Sequence, residues 1–147
     1  ISLRYFNVYG PRHTAESSYA NLIPKFTKFF MENKQPTING TGKQTRDFTS
    51  VHDVANANLL AINTKNKEAF GEAFNIGAGN NISINDVVSI LKEHLNSNID
   101  PIYGPAVIEP KDTLADINKA KQLLNWEPKV KFSDGIREYI AWFREQN

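Results

Sequence analysis

The chain has 147 residues, enough to bury one hydrophobic core and little more. Its 17 Lys plus Arg stand against 16 Asp plus Glu, with 40% hydrophobic and 22% charged residues, a balance that presents no basic surface to nucleic acid or to an anionic membrane. The lack of cysteine excludes disulfide scaffolds, thiolate metal sites and cysteine nucleophiles and fits a reducing, cytoplasmic setting, and no apolar run approaches the ~20 residues that span a bilayer.

Residues 1–6, apolar with Tyr5 and Phe6, read as a strand, and 7–18, with Gly10 and Pro11, as a loop. From Tyr19 to Met31, Leu22, Ile23, Phe26, Phe29 and Phe30 recur at helical spacing. Pro24 is tolerable only in the first turn, which places the helix start near Asn21. Residues 36–39 form a short strand ended by Asn39-Gly40, and 45–50 another extended segment. Ser50-Val-His-Asp53 then reads as a capping box with Asp in place of Glu, ahead of a helix whose face holds Val51, Val54, Ala55, Leu59 and Ile62.

Residues 73–76 are a strand running into a turn over 77–81, Gly77-Ala-Gly79-Asn-Asn81. Ser83 and Asp86 cap a helix lined by Ile84, Val87, Val88, Leu91 and Leu95. A strand is expected at 99–103, an irregular stretch at 104–112, a helix capped by Asp116 through Leu124, and a last helix from near Ser133 with Ile136, Ile140 and Phe143 inward. Strands alternating with helices point to an α/β fold. A strand flush with the first residue looks like the edge of a larger sheet.

Few residues form a catalytic constellation. Gly77-Ala-Gly79 lacks the third glycine of a dinucleotide fingerprint. None of the five tyrosines is followed four residues later by lysine, so no catalytic residue and no metal ligand set is expected in this chain; His13, His52 and His94 are too scattered for a metal. Arg46 reads either as a surface pair with Asp47 or as a fork for a phosphate. Asn7, at a strand end, reads as a turn residue or as a second anion-binding group.

Five segments in order, "LRYFNVYGPR", "LIPKF", "INGTGKQTRDFTSVHDVANA", "FNIGAG" and "TLADINKAKQLLNWEPKVKFSDGI", closely resemble the C-terminal half of nucleotide-sugar epimerases of the extended short-chain dehydrogenase/reductase family, most of all UDP-glucose and UDP-N-acetylglucosamine 4-epimerases. The resemblance covers nearly the whole chain. It implies an NAD-binding Rossmann core that precedes this segment, residues 1–12 as a residual strand and loop of that core's sheet, and residues 13–147 as the UDP-sugar-binding domain. The implied intact enzyme oxidises the sugar at C4 with NAD and returns the hydride to the other face. The chain alone is expected to be inactive and to bind no NAD.

Carried over by position, Asn7 and Arg46 are implied to meet the substrate diphosphate, Asn21 and Leu22 the nucleotide, and Thr37 and Asn39 the uracil ring; Tyr5 lies near the nicotinamide end of the cofactor. Where the family carries an arginine and a ribose-binding aspartate, this chain has Ala106 and Glu109. Glu109 can still accept from ribose, whereas losing the arginine weakens diphosphate binding by roughly 1.5–3 kcal/mol unless Lys111 compensates. A UDP-glucuronate decarboxylase or dTDP-glucose 4,6-dehydratase relative is the enzymatic alternative, and a non-catalytic nucleotide-binding or assembly module the alternative of another class. The resemblance implies a homodimer for the intact protein. Exposed strand edges make self-association the expectation for this chain.

Overall fold

The computed structural model describes residues 1–15 and 22–146; Asn21 lies outside them. The chain alternates short strands with helices: β1 (Ser2–Tyr5), β2 (Val8–Tyr9), α1 (Leu22–Met31), β3 (Thr37–Asn39), β4 (Thr45–Asp47), β5 (Thr49–Ser50), α2 (Val51–Asn63), β6 (Ala73–Ile76), β7 (Asn81–Ser83), α3 (Ile84–Leu95), β8 (Ile102–Gly104), α4 (Asn118–Leu124) and α5 (Phe132–Gln146). The expected α/β class is what forms. The strands pair two by two: β1 with β6, β2 with β5 and β3 with β8 in parallel, and β4 with β7 antiparallel.

Two cores divide the interior. One gathers α1, α3 and α5 around Ile23, Phe26, Phe30, Val87, Leu91, Ile136 and Ile140, with Ile38 and Phe48 reaching in from the strands. The other collects Val54, Ala57, Phe74, Ile76, Leu124 and the fully buried Trp126. Trp126 Nε1 donates to Asp53 O at 3.0 Å, and the Asp53 carboxylate accepts from the backbone N–H groups of Lys129 (2.9 Å) and Val130 (3.1 Å). Asp53, expected to complete a capping box, therefore ties α2 to the segment before α5. Ser50 caps α2 alone, accepting from His52 N.

The second box forms as read: Ser83 Oγ accepts from Asp86 N at 3.1 Å and donates to Asp86 Oδ2 at 2.6 Å. Pro24 sits in the first turn of α1, where its missing N–H costs nothing. Asp116 Oδ1 accepts from Asn118 N, although the residue at the cap position itself is Ile117.

Several expectations fail for physical reasons. The loop reading of 7–18 misses β2, and the turn reading of 77–81 misses the start of β7. Both strands are two or three residues long, too short for an alternating pattern to emerge. Phe48 interrupts the expected strand 45–50, and the strand placed at 99–103 runs instead from Ile102 to Gly104. On α2, Leu59 and Ile62 are 59% and 78% exposed, and on α1 Phe29 is 40% exposed. Helical spacing identifies an apolar stripe but not whether anything covers it; full burial of each such side chain would have been worth about 1.5–3 kcal/mol.

Candidate functional site

An open cleft of about 330 Å³ lies where α1, β3, β4 and the segment after β8 meet. Its floor is the first core: Phe26, Ile38, Phe48 and Ile84 are all buried there. Asn7, Leu22, Thr37, Asn39, Arg46 and Glu109 line it. Alternation along β3 explains two of these: Ile38 points into the core at 1% exposure, so Thr37 and Asn39 both stand on the opposite, exposed side.

The same alternation separates Arg46 from Asp47, overturning the surface-pair reading. Arg46 faces the cleft. Its Nη2 lies 2.6 Å from Glu109 Oε2, and its Nη1 donates to the carbonyls of Thr45 and Pro110 at 2.8 Å each. Asp47 turns inward and is fully buried. Its carboxylate accepts from Ala78 N (2.6 Å), Gly79 N (3.0 Å) and Ala115 N (3.0 Å). Burial raises its pKa, and the three N–H groups pull it back only in part. A Cβ at Gly77 would press on Asp47 and Ala115, so glycine is needed for this close approach.

Asn7 joins the cleft to that anchor. It sits between β1 and β2 at φ 26°, a positive value that asparagine tolerates better than most residues. Its Nδ2 donates to Asp47 O at 3.1 Å, and its own carbonyl accepts from Thr49 N. One amide hydrogen spans the strands and the other is left for the cleft.

Lys25, Phe26, Gln44, Phe48 and Ile84 also line the cleft and escaped the sequence reading. Phe26 and Ile84 were taken for core residues, which they also are. Gln44 Nε2 donates to Asn39 O at 2.8 Å and lies 3.3 Å from Glu109 Oε1, linking β3 to the segment after β8. Its signal was its position two residues before Arg46, on the same face of the extended chain. A smaller neighbouring cleft of about 220 Å³ shares Asn39, Gln44 and Glu109 and adds Lys43, Ala106 and Lys111. Lys111 thus stands beside the first cleft and does not line it.

Tyr5 lies elsewhere. Its hydroxyl donates to Asn58 Oδ1 at 3.0 Å, and its ring belongs to an exposed apolar hollow with Leu3, Ile62 and Phe70. Among the described residues no group of three or more His, Asp or Glu could hold a metal ion, and no helix is long and apolar enough to cross a membrane.

Comparison with known proteins places these observations in a family context. The family described as NAD dependent epimerase/dehydratase matches residues 1–77. The chain is 38% identical over 146 residues to a putative UDP-glucose 4-epimerase of Methanocaldococcus jannaschii, covering 99% of this chain and 46% of that protein. It is 34% identical to a UDP-N-acetyl-alpha-D-glucosaminuronate decarboxylase of Bacillus cytotoxicus, covering 97% and 46%. The crystal structure of UDP-glucose 4-epimerase from Thermotoga maritima with UDP-glucose superposes with a TM-score of 0.90 at 35% identity, covering 98% of this chain and 45% of that one. The chain spans about half the length of the relatives it matches.

Proposed function

The chain belongs to the NAD dependent epimerase/dehydratase family, and from that premise we propose that it is the substrate-binding part of a UDP-sugar 4-epimerase. The observation that carries this reading is convergence. Asn7, Leu22, Thr37, Asn39, Arg46 and Glu109 come from separate segments of the chain and meet at one cleft with an apolar floor and a polar rim.

In this reading the uracil ring lies over Phe26 and Ile38, its polar edge meeting Thr37 and Asn39. Arg46 and Asn7 hold the diphosphate, with Lys25 adding positive charge at the rim, and Glu109 accepts from the ribose. Residues 1–12 belong to the sheet of a cofactor domain and 13–147 to the sugar-nucleotide domain. NAD would supply the oxidation at C4, and the turn present does not fit its pyrophosphate, because Gly77-Ala-Gly79 has no third glycine. No step is therefore assigned to this chain beyond binding and orienting the sugar nucleotide.

Titration with UDP followed by NMR tests the reading. Amide resonances of Asn7, Asn39 and Arg46 are expected to move together at millimolar UDP, and no movement at any of the three would sink it. The reading also bears on assembly. Tyr5, Phe70 and Ile62 are 47%, 59% and 78% exposed beside an edge of β1 that no strand covers among the described residues, a surface that favours contact with a second copy. Sedimentation velocity at tens of micromolar should show species larger than the monomer; a single monomeric boundary would count against this.

A further inference from the structure

Arg46 offers an anion a guanidinium fork, and in this structure the fork is already taken. Two of its partners, the carbonyls of Thr45 and Pro110, belong to the backbone. The third is the Glu109 carboxylate at 2.6 Å, carried by an exposed side chain in the irregular segment between β8 and α4. Glu109 is the partner that can leave. Gln44 Nε2, 3.3 Å from its other carboxylate oxygen, keeps it aimed at Arg46 meanwhile.

Resting on the diphosphate reading of this cleft, we propose that Glu109 is an affinity-limiting residue: its carboxylate occupies Arg46 as a resident anion that an incoming ligand must displace. A ligand with one negative charge exchanges one carboxylate-like contact for another and gains nothing at Arg46. A pyrophosphate group brings more charge and several oxygens to a planar fork built for two parallel bonds, so the exchange runs in its favour. The Arg46–Glu109 pair thus imposes one displacement cost on every anion, and a monoanion, with less to gain at the fork, is the first to fall below measurable binding. The pair also keeps the guanidinium, only 14% exposed, from standing uncompensated at the cleft wall.

Inorganic pyrophosphate isolates this effect, because it has no ribose for Glu109 to hold. Calorimetric titration without divalent metal should show Glu109→Gln and Glu109→Ala each binding pyrophosphate about tenfold more tightly than the unaltered chain. Both variants should also bind dimethyl phosphate, a monoanion, measurably better. Asp112→Asn is the control: that carboxylate lies in the same segment but accepts from Thr45 Oγ1 at 2.8 Å, so its removal should change pyrophosphate affinity less than about threefold. The proposal is overturned if neither Glu109 variant binds pyrophosphate more tightly, or if Asp112→Asn matches them. UDP in the same titrations separates the two claims: UDP binding no more tightly than pyrophosphate in every variant removes the nucleotide reading and leaves the anion exchange standing.

Discussion

Replacing Arg46 with alanine is expected to weaken UDP binding by about 100-fold, since a charge-assisted contact is worth about 1.5–3 kcal/mol and the fork supplies more than one. Arg46→Lys should lose about tenfold, because an ammonium keeps the charge but cannot present two parallel donors. The fold should survive both changes. Arg46 stands at the cleft wall, the carbonyls of Thr45 and Pro110 can turn to water, and the apolar floor of Phe26, Ile38, Phe48 and Ile84 is untouched. Isothermal calorimetry with UDP, alongside thermal unfolding of each variant, measures both quantities. A loss below about threefold for Arg46→Ala would show that the diphosphate is held elsewhere.

The next residue in the chain should give the opposite phenotype. Asp47→Ala leaves the N–H groups of Ala78, Gly79 and Ala115 without their acceptor in a buried setting, at about 1–3 kcal/mol per orphaned donor. Relief of the buried charge offsets part of that, and a net loss of about 3 kcal/mol is expected from urea unfolding at neutral pH.

The pH dependence carries a further signature. Burial raises the pKa of Asp47 in the folded chain above its unfolded value. The folded state therefore binds the proton more readily, and the stability linked to Asp47 is greatest below the unfolded pKa and falls as pH rises through the raised one. The stability gap between the unaltered chain and Asp47→Ala should accordingly widen on acidification. A gap that closes at acid pH would mean that the three N–H bonds, and not burial, dominate the titration.

Arg46 and Asp47 also mark how much could be read from the residues alone. Adjacent opposite charges suggest a surface pair, and only the two-residue alternation of a strand whose one face is buried separates them. β4 is three residues long, and no periodicity can be established over so few positions. The helices were legible because each repeats its apolar spacing over several turns, as α3 and α5 do. Leu59 and Ile62 follow the same rule and are exposed, because spacing carries no information about what lies opposite. The set lining the cleft became legible through family resemblance: Thr37, Asn39 and Asn7 are ordinary turn or strand residues until something brings them together. Tyr5 came by the same route and stands apart from the cleft, and Gln44 was overlooked because amides at strand ends are common.

The pairing of the strands has a consequence for how the molecule comes into being. Ser2 meets Ala73, Val8 meets Thr49, Thr37 meets Ile102 and Thr45 meets Ser83. None of these is a hairpin, and each requires a long loop to close before any hydrogen bond repays the lost chain entropy. Helices α3 and α5 can form locally and early, but the cleft has no local precursor. Its walls include β3 and β4, each held by a long-range pairing, so a partly folded chain with all its helices would still lack the place where Arg46, Asn7 and Asn39 meet. The cleft is therefore expected to form late in folding, and a ligand bound there would tie together segments as far apart in sequence as Asn7 and Glu109.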